Sequence, residues 1–461
     1  MTTSSTNTST SSIDGLVSGL QTTQMINQLM AIEAQPQTNL KDKVSTAQTA
    51  VASYQSVNAK LQSIKTAADD LQQLSTWRSI KATANDPSVT ATPMGGTDTA
   101  TGSTTFDVVQ LASSQVSTAR VDPATPITAS DTIQVTIAGV ETDVDISGTD
   151  KTAKSISDAI NAKGIGVKAS IINTGGATNV LQLTGTKTGA ANGFTIGGLD
   201  DMASPLTTVK QAGDAMLQVG GPDDQGGFSV TSDTNTFTGL MTGVTLTVSK
   251  VQSDVTVTAA ADVDGIAAKY QALVDAVNGT LTEVTNQTAY DPSTKTGSPL
   301  TGDFMVRQLS QNLLSAISTG LSYDNPKYDP NGPNDDTNPK TIGYGSFAKM
   351  GIQLDQNGQL TFDKDKFAAA YNADPTGMKQ AGMGFGTNFY NLSNSQSTSV
   401  SAVITGRNSE IDSLNSQISD WDVRLQAKRD AMQLQYADLE TALGKLKDQS
   451  SWLSSQIAGL S

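Results

Sequence analysis

Residues 411–425 read Ile411-Asp-Ser-Leu414-Asn-Ser-Gln-Ile418-Ser-Asp-Trp421-Asp-Val-Arg-Leu425, and after a break the pattern resumes at Met432, Tyr436, Leu439, Leu443, Leu446, Leu453, Ile457 and Leu460. The spacing alternates three and four, with a four-residue stutter from Met432 to Tyr436, and Lys428 and Ser450 occupy two seam positions. Apolar side chains at this spacing line one narrow face of an α-helix. The pattern predicts a helix from about 408 to 460, about 80 Å long. Such a stripe is too long to be buried within one small domain and needs a partner helix.

The other end of the chain offers one. Leu16, Leu20, Ile26, Leu29 and Met30 share a helical face, with Thr22 or Thr23 as the expected N-cap and Pro36 as the interruption. A second helix is predicted over 38–75, about 55 Å long, from Leu40, Val44, Ala47, Val51, Tyr54, Leu61, Ala68 and Leu71. Pairing the two ends makes a terminal coiled-coil stalk. The stripes read either as core within one chain or as assembly surface between chains. Their position at both ends, the first preceded by a low-complexity Ser/Thr tail over 1–12 expected to be disordered, favours assembly. The candidate contacts are Leu16, Leu20, Ile26, Leu29, Leu439, Leu443, Leu446, Leu453 and Ile457.

Between the stripes the texture changes. Residues 78–260 are rich in Thr, Val, Gly and Asp, with strands predicted at Thr104–Gln110, Thr132–Ile137, Val180–Thr184, Ser229–Ser232 and Val244–Lys250, and one short helix over 152–163. From Asp262 the helical period returns, in Ile266, Tyr270, Leu273, Val274 and Val277, then in Phe304, Leu309, Leu313, Leu314 and Ile317. Residues 323–340 read as a Pro/Asp/Asn loop. Asn357-Gly358 between alternating runs predicts a hairpin with a type I′ turn. The fold class is α+β multidomain, with a stalk from both chain ends, a helical body and inserted β-rich domains. The expected division is a tail over 1–12, a stalk from 13–42 and 425–461, a helical body from 43–77 and 261–424, a β-rich domain from 78–129 and 200–260, and a second inserted β-rich domain over 130–199.

Composition narrows the chemistry. The chain has 461 residues and neither Cys nor His, so no disulfide forms and no thiolate or imidazole serves as ligand, nucleophile or base. With 29 basic and 44 acidic residues the net charge is −15, which repels nucleic acid and anionic membrane. No run of about 18 apolar residues is present, so no membrane insertion is expected. The start of the chain lacks the basic and apolar regions of a cleaved secretory signal, as fits a cytoplasmic protein or one exported by another route. Ser346-Phe-Ala-Lys349 with Lys187-Thr-Gly189 and Lys295-Thr-Gly297 matches penicillin-binding motifs in the wrong order, and turns and strand ends account for them. Gly382-Met-Gly-Phe-Gly386 reads as a flexible connector rather than a dinucleotide loop. Asp324, Asp329, Asp335 and Asp336, and Glu141, Asp143 and Asp145, lack the spacing of a calcium loop and read as solvated acidic surface. No catalytic, cofactor or metal site is assigned. A hydrolase using a carboxylate pair is permitted by composition, but no pair is picked out.

The residues also carry a family resemblance. Ile13-Asp-Gly-Leu-Val-Ser-Gly-Leu20 followed by Met25-Ile-Asn-Gln-Leu-Met-Ala-Ile-Glu33 resembles the N-terminal signature of the flagellar filament cap (hook-associated protein 2) family, with Val17 and Gln21 departing from its usual Gly and Asp. Asn235–Val248, Leu300-Thr-Gly-Asp303, and the stretch from Ala348 to Asp363 are similar to further parts of the family, and 130–199 resembles a β insert shared among flagellar proteins. The resemblance implies export through the flagellar apparatus and a homo-oligomeric ring of about five subunits at the filament tip. It also implies contact with flagellin and with the hook–filament junction protein, and an export chaperone on the C-terminal region. A hook–filament junction protein and a surface adhesin are the alternatives.

Overall fold

The computed structural model describes residues 19, 21–95, 101–199, 202, 204–333 and 335–459. The helices are α1 (Thr22–Glu33), α2 (Gln35–Gln72), α3 (Leu74–Trp77), α4 (Ala153–Lys163), α5 (Val263–Thr288), α6 (Phe304–Ser318), α7 (Lys364–Ala373) and α8 (Pro375–Gly459). The chain forms two compact units. One comprises the chain up to Gln72 together with Lys269 onward, and the other is Gln73–Ala268.

The second unit holds two β cores. In the first, a five-stranded sheet runs in the order Ile80–Ala84, Gln252–Ala261, Gly102–Gln110, Ala215–Val219, Phe228–Ser232, and a three-stranded sheet in the order Thr236–Met241, Val244–Val248, Val89–Pro93. Period-two alternation turns Phe106, Val108, Val255 and Val257 inward. It leaves Thr105 and Thr256 outside, their hydroxyls 2.9 Å apart across the ladder. The second core lies between α4 and two further sheets, around Ile133, Ile146, Ile156, Ile160, Leu181 and Leu183. Thr152 caps α4 and Gly164, at φ 66°, ends it. Ala138 and Gly139, both at positive φ (52° and 78°), close the hairpin between Thr132–Ile137 and Val140–Asp145. Val140–Asp145 is an edge strand, and its exposed Glu141, Asp143 and Asp145 discourage edge-to-edge pairing.

In the first unit α2 and α8 run antiparallel: Gln37 meets Asp422, Asn58 meets Ser397, and Gln72 meets Thr387. Near the start of α8 the packing is dense. Val57, Leu61, Ile64, Ala68 and Leu71 of α2 are fully buried. Tyr270 of α5 stacks among Phe362, Phe367 and Phe385, with centroids 6.0, 4.8 and 5.7 Å away. The hairpin Ile352–Leu354/Leu360–Phe362 delivers Phe362. Asn278 holds that hairpin by pairing both amide atoms with the Leu360 backbone at 2.8 Å.

Several expectations need correction. Neither Thr22 nor Thr23 is the N-cap: α1 begins at Thr22, Gln21 holds the cap position, and no side chain caps it. Pro36 does not sit between helices. The break is at Ala34, and Pro36 is the second residue of α2, where a missing N–H costs no helical bond. The C-terminal helix starts at Pro375 rather than near 408, and the presumed connector Gly382–Gly386 lies inside it. Two of these glycines permit close approach. A Cβ on Gly384 would lie 3.1 Å from the Ser322 carbonyl oxygen, and one on Gly386 would lie 2.7 Å from that of Ala68. The Asn357-Gly358 hairpin forms, but Gly358 alone takes positive φ, at 77°. Asp355 accepts from the backbone N–H groups of Asn357 and Gln359, both at 2.8 Å, so the turn is not type I′. Phe304 does not join the α6 core. It is 72% exposed, and Val306 takes the buried place beside Leu309 and Leu313.

Candidate functional site

The long apolar stripe of α8 divides into two parts. From Ile411 to Tyr436 it has partners in its own chain. Ile411 and Leu414 pack on Val44, Ala47 and Val51 of α2, with Leu40, Ile404 and Ile418 against them. Gln37 adds a polar clasp, its amide donating to the Ile418 carbonyl at 3.2 Å and to Asp422 at 2.5 Å. Lys428 explains its own place in the seam: its ammonium reaches Glu33 of α1 at 2.5 Å. Tyr436 donates to the sulfur of Met25 at 3.0 Å. Sequence reasoning missed Gln37, Glu33 and Met25, although a Lys at a seam position facing a terminal Glu is a readable signal.

Beyond Tyr436 the same spacing continues without this cover. Leu439, Leu446, Leu453 and Ile457 are 43%, 60%, 55% and 61% exposed, Leu443 is half-buried, and Trp452 is exposed as well. On α1 the stripe splits by angle. Ile26 and Met30 are buried, whereas Met25, Leu29 and Ile32, one residue round the helix, are exposed. Of the expected contact residues, Ile26 is therefore core, and Leu29, Leu439, Leu446, Leu453 and Ile457 are surface. Leu16 and Leu20 lie outside the described residues, as do the tail 1–12 and most of the Ile13–Leu20 signature.

The weighed motifs take ordinary structural places. Ser346 caps a short turn by accepting from the Ala348 N–H at 3.2 Å, and Lys349 donates to the Tyr344 carbonyl at 3.3 Å. Asp335 accepts from the Thr337 hydroxyl and N–H, which lower its pKa. Glu283 of α5 is held below the usual carboxylate range, first by the Ser56 hydroxyl at 2.6 Å and then by Gln287. Among the described residues, no group of three or more acidic side chains converges as a metal site, and no helix is long and apolar enough to cross a membrane.

These features define a multidomain α+β protein that carries a β-rich insertion on a helical unit, with an apolar helical seam running past its partners. The chain belongs to the flagellar hook-associated protein 2 family: residues 18–115 match its N-terminus and residues 212–448 its C-terminus. The segment between the two matches contains the whole of the α4 core. Flagellar hook-associated protein 2 of Escherichia coli K12 is 25% identical over 96% of this chain and 97% of its own length. The lateral flagellar hook-associated protein 2 of Vibrio parahaemolyticus is 26% identical over 60% of this chain and 62% of its own. In fold, the chain is similar to the D1-D2-D3 domains of the flagellar cap protein FliD from Escherichia coli, with a TM-score of 0.55, 23% identity, and coverage of 77% of this chain and 99% of that one.

Proposed function

We propose that this chain caps the distal end of the bacterial flagellar filament, as a non-enzymatic, oligomeric scaffold under which flagellin adds. The observation that carries this reading is the α8 seam. In a chain of this family, Leu439, Leu446, Leu453 and Ile457 stay exposed at helical spacing, with Leu443 half-buried among them. A contiguous exposed apolar row marks an interaction surface. Leu29, Leu439, Leu443, Leu446, Leu453 and Ile457 are the proposed subunit and filament contacts, together with Leu16 and Leu20. A ring of about five copies follows from the family resemblance and the preference of homo-oligomers for closed symmetry. Export by the flagellar apparatus fits a chain with no cysteine and several small cores. A chaperone covering the exposed C-terminal seam before export, and contact with the hook–filament junction protein, complete the proposal.

The test is deletion of the gene in its own bacterium, with flagellin quantified in the medium and on the cells. Monomeric flagellin lost to the medium, and filaments restored by added purified protein, support a cap. Normal filaments with altered surface attachment reject it in favour of an adhesin.

A further inference from the structure

The Leu300-Thr-Gly-Asp303 stretch has a structural role that the capping function leaves unused. Asp303 is the N-cap of α6, and one carboxylate oxygen accepts from the Val306 N–H at 3.0 Å. Its other oxygen accepts from the hydroxyl of Tyr54, a residue of α2 that is 3% exposed. Arg407 of α8 lies near enough for its charge to act on both, while its guanidinium bonds Glu410 at 2.8 Å. Two residues along α2, Ser56 bonds Glu283, and Gln287 of the same helix donates to that carboxylate. The Gln287 carbonyl accepts from the Leu300 N–H at 2.9 Å, which fixes the segment leading to Asp303. Two helices, α2 and α6, therefore meet at one hydrogen-bonded carboxylate, and α5 is tied to the same stretch of α2 through Ser56 and Glu283.

This cluster sits where the packing changes. On its body side, Val57, Leu61 and Ile64 of α2 are fully buried, and Val400 of α8 is 2% exposed. On its far side, Val44, Val51, Ile411 and Leu414 all remain 8–9% exposed. Their core consists of five buried residues between two helices. A helical arm with so small a core between α2 and α8 has little stability of its own and opens locally. A part-buried, charge-assisted hydrogen bond to a carboxylate that also caps a helix resists such opening, because breaking it leaves the carboxylate short of a partner and loosens the end of α6.

We propose that Tyr54 and Asp303 form a latch. The α2–α8 arm beyond it opens as one cooperative unit, and the latch stops that opening from spreading into the aromatic body. The proposal stands independently of the capping function.

Hydrogen exchange by mass spectrometry on the full chain tests it. In the unaltered protein, amides of 40–51 and 404–418 should exchange together, at least ~10-fold faster than those of 57–71 and 378–400. Tyr54→Phe keeps the ring and removes the hydroxyl. It should raise exchange in 57–64 and 304–309 by ~10-fold, leaving 378–390 protected. Asp303→Ser retains a capping oxygen but is too short to reach Tyr54, and should behave like Tyr54→Phe. Uniform exchange along α2 in the unaltered protein would overturn the proposal. So would an equal rise everywhere in Tyr54→Phe, or wild-type behaviour of Asp303→Ser, since either would leave only a general structural role or the cap itself.

Discussion

The two ends of α8 use one kind of sequence for two purposes. Near its start, Phe385 and Phe389 are 2% and 0% exposed, ring against ring at 4.8 Å, and Gly384 and Gly386 let neighbouring backbone come close. At its far end, Leu446, Leu453 and Ile457 keep the heptad-like spacing and more than half of their surface. Periodicity reports that a helix has an apolar face. It does not report whether that face is covered within its own chain.

Substitutions can break or sharpen this contrast. The largest expected effect is at the buried end. Phe389→Ala should destabilise the helical unit by about 3–5 kcal/mol through lost transfer energy and a cavity, read as a lower urea midpoint of the helical signal. Next come two glycines in the same helix. Gly386→Ala gains about 1 kcal/mol of helix propensity. Its new Cβ, however, would lie 2.7 Å from the Ala68 carbonyl oxygen and 3.0 Å from the Leu71 Cβ. Net destabilisation of about 1–3 kcal/mol is expected. Gly406→Ala meets nothing within 4 Å and should stabilise by about 0.5–1 kcal/mol. The same sign at both positions in urea unfolding would refute the packing account.

A pH effect should follow. Burial, and then the bond to Asp303 and its charge, push Tyr54 from 10.0 up to about 12. The folded state holds the phenolic proton more tightly, so this contribution is complete below the unfolded value and is lost as pH rises from 10 to 12. Stability should fall more steeply across that window in the unaltered protein than in Tyr54→Phe, as followed by thermal unfolding. Parallel curves would contradict this.

The smallest effects on folding belong to the exposed end. Leu453→Ala, and Leu443→Asp with Leu446→Asp, should each stay within about 0.5 kcal/mol of the parent. The double change should nonetheless abolish capping in cells while the β unit stays folded. Filaments that survive it would remove these leucines from the proposed contacts.

Much was legible in the amino-acid order. Ile266, Tyr270, Leu273, Val274 and Val277 were readable as one buried stripe because a helix of regular period presents one face. The hairpin around Asn357-Gly358 was readable from local turn chemistry. The strand at Thr104–Gln110 was readable, but Ile80–Ala84, Gln252–Ala261 and the pairing of the three were not, because Ser/Thr-rich runs alternate weakly and their partners are distant along the chain. The candidate surface was half legible. Ile26 and Leu29 carry the same side-chain chemistry, and angle alone buries the first and exposes the second.

By itself, the sequence determined the absence of thiol and imidazole chemistry, the acidic charge, the apolar faces and the α+β class, all of which depend on residue identity and local period. Tertiary structure decided which faces are covered, why Lys428 stands in a seam opposite Glu33, and why Gly384 and Gly386 continue a helix they would ordinarily weaken. Those outcomes depend on groups brought together from distant parts of the chain, where close backbone approach and paired charge outweigh local propensity.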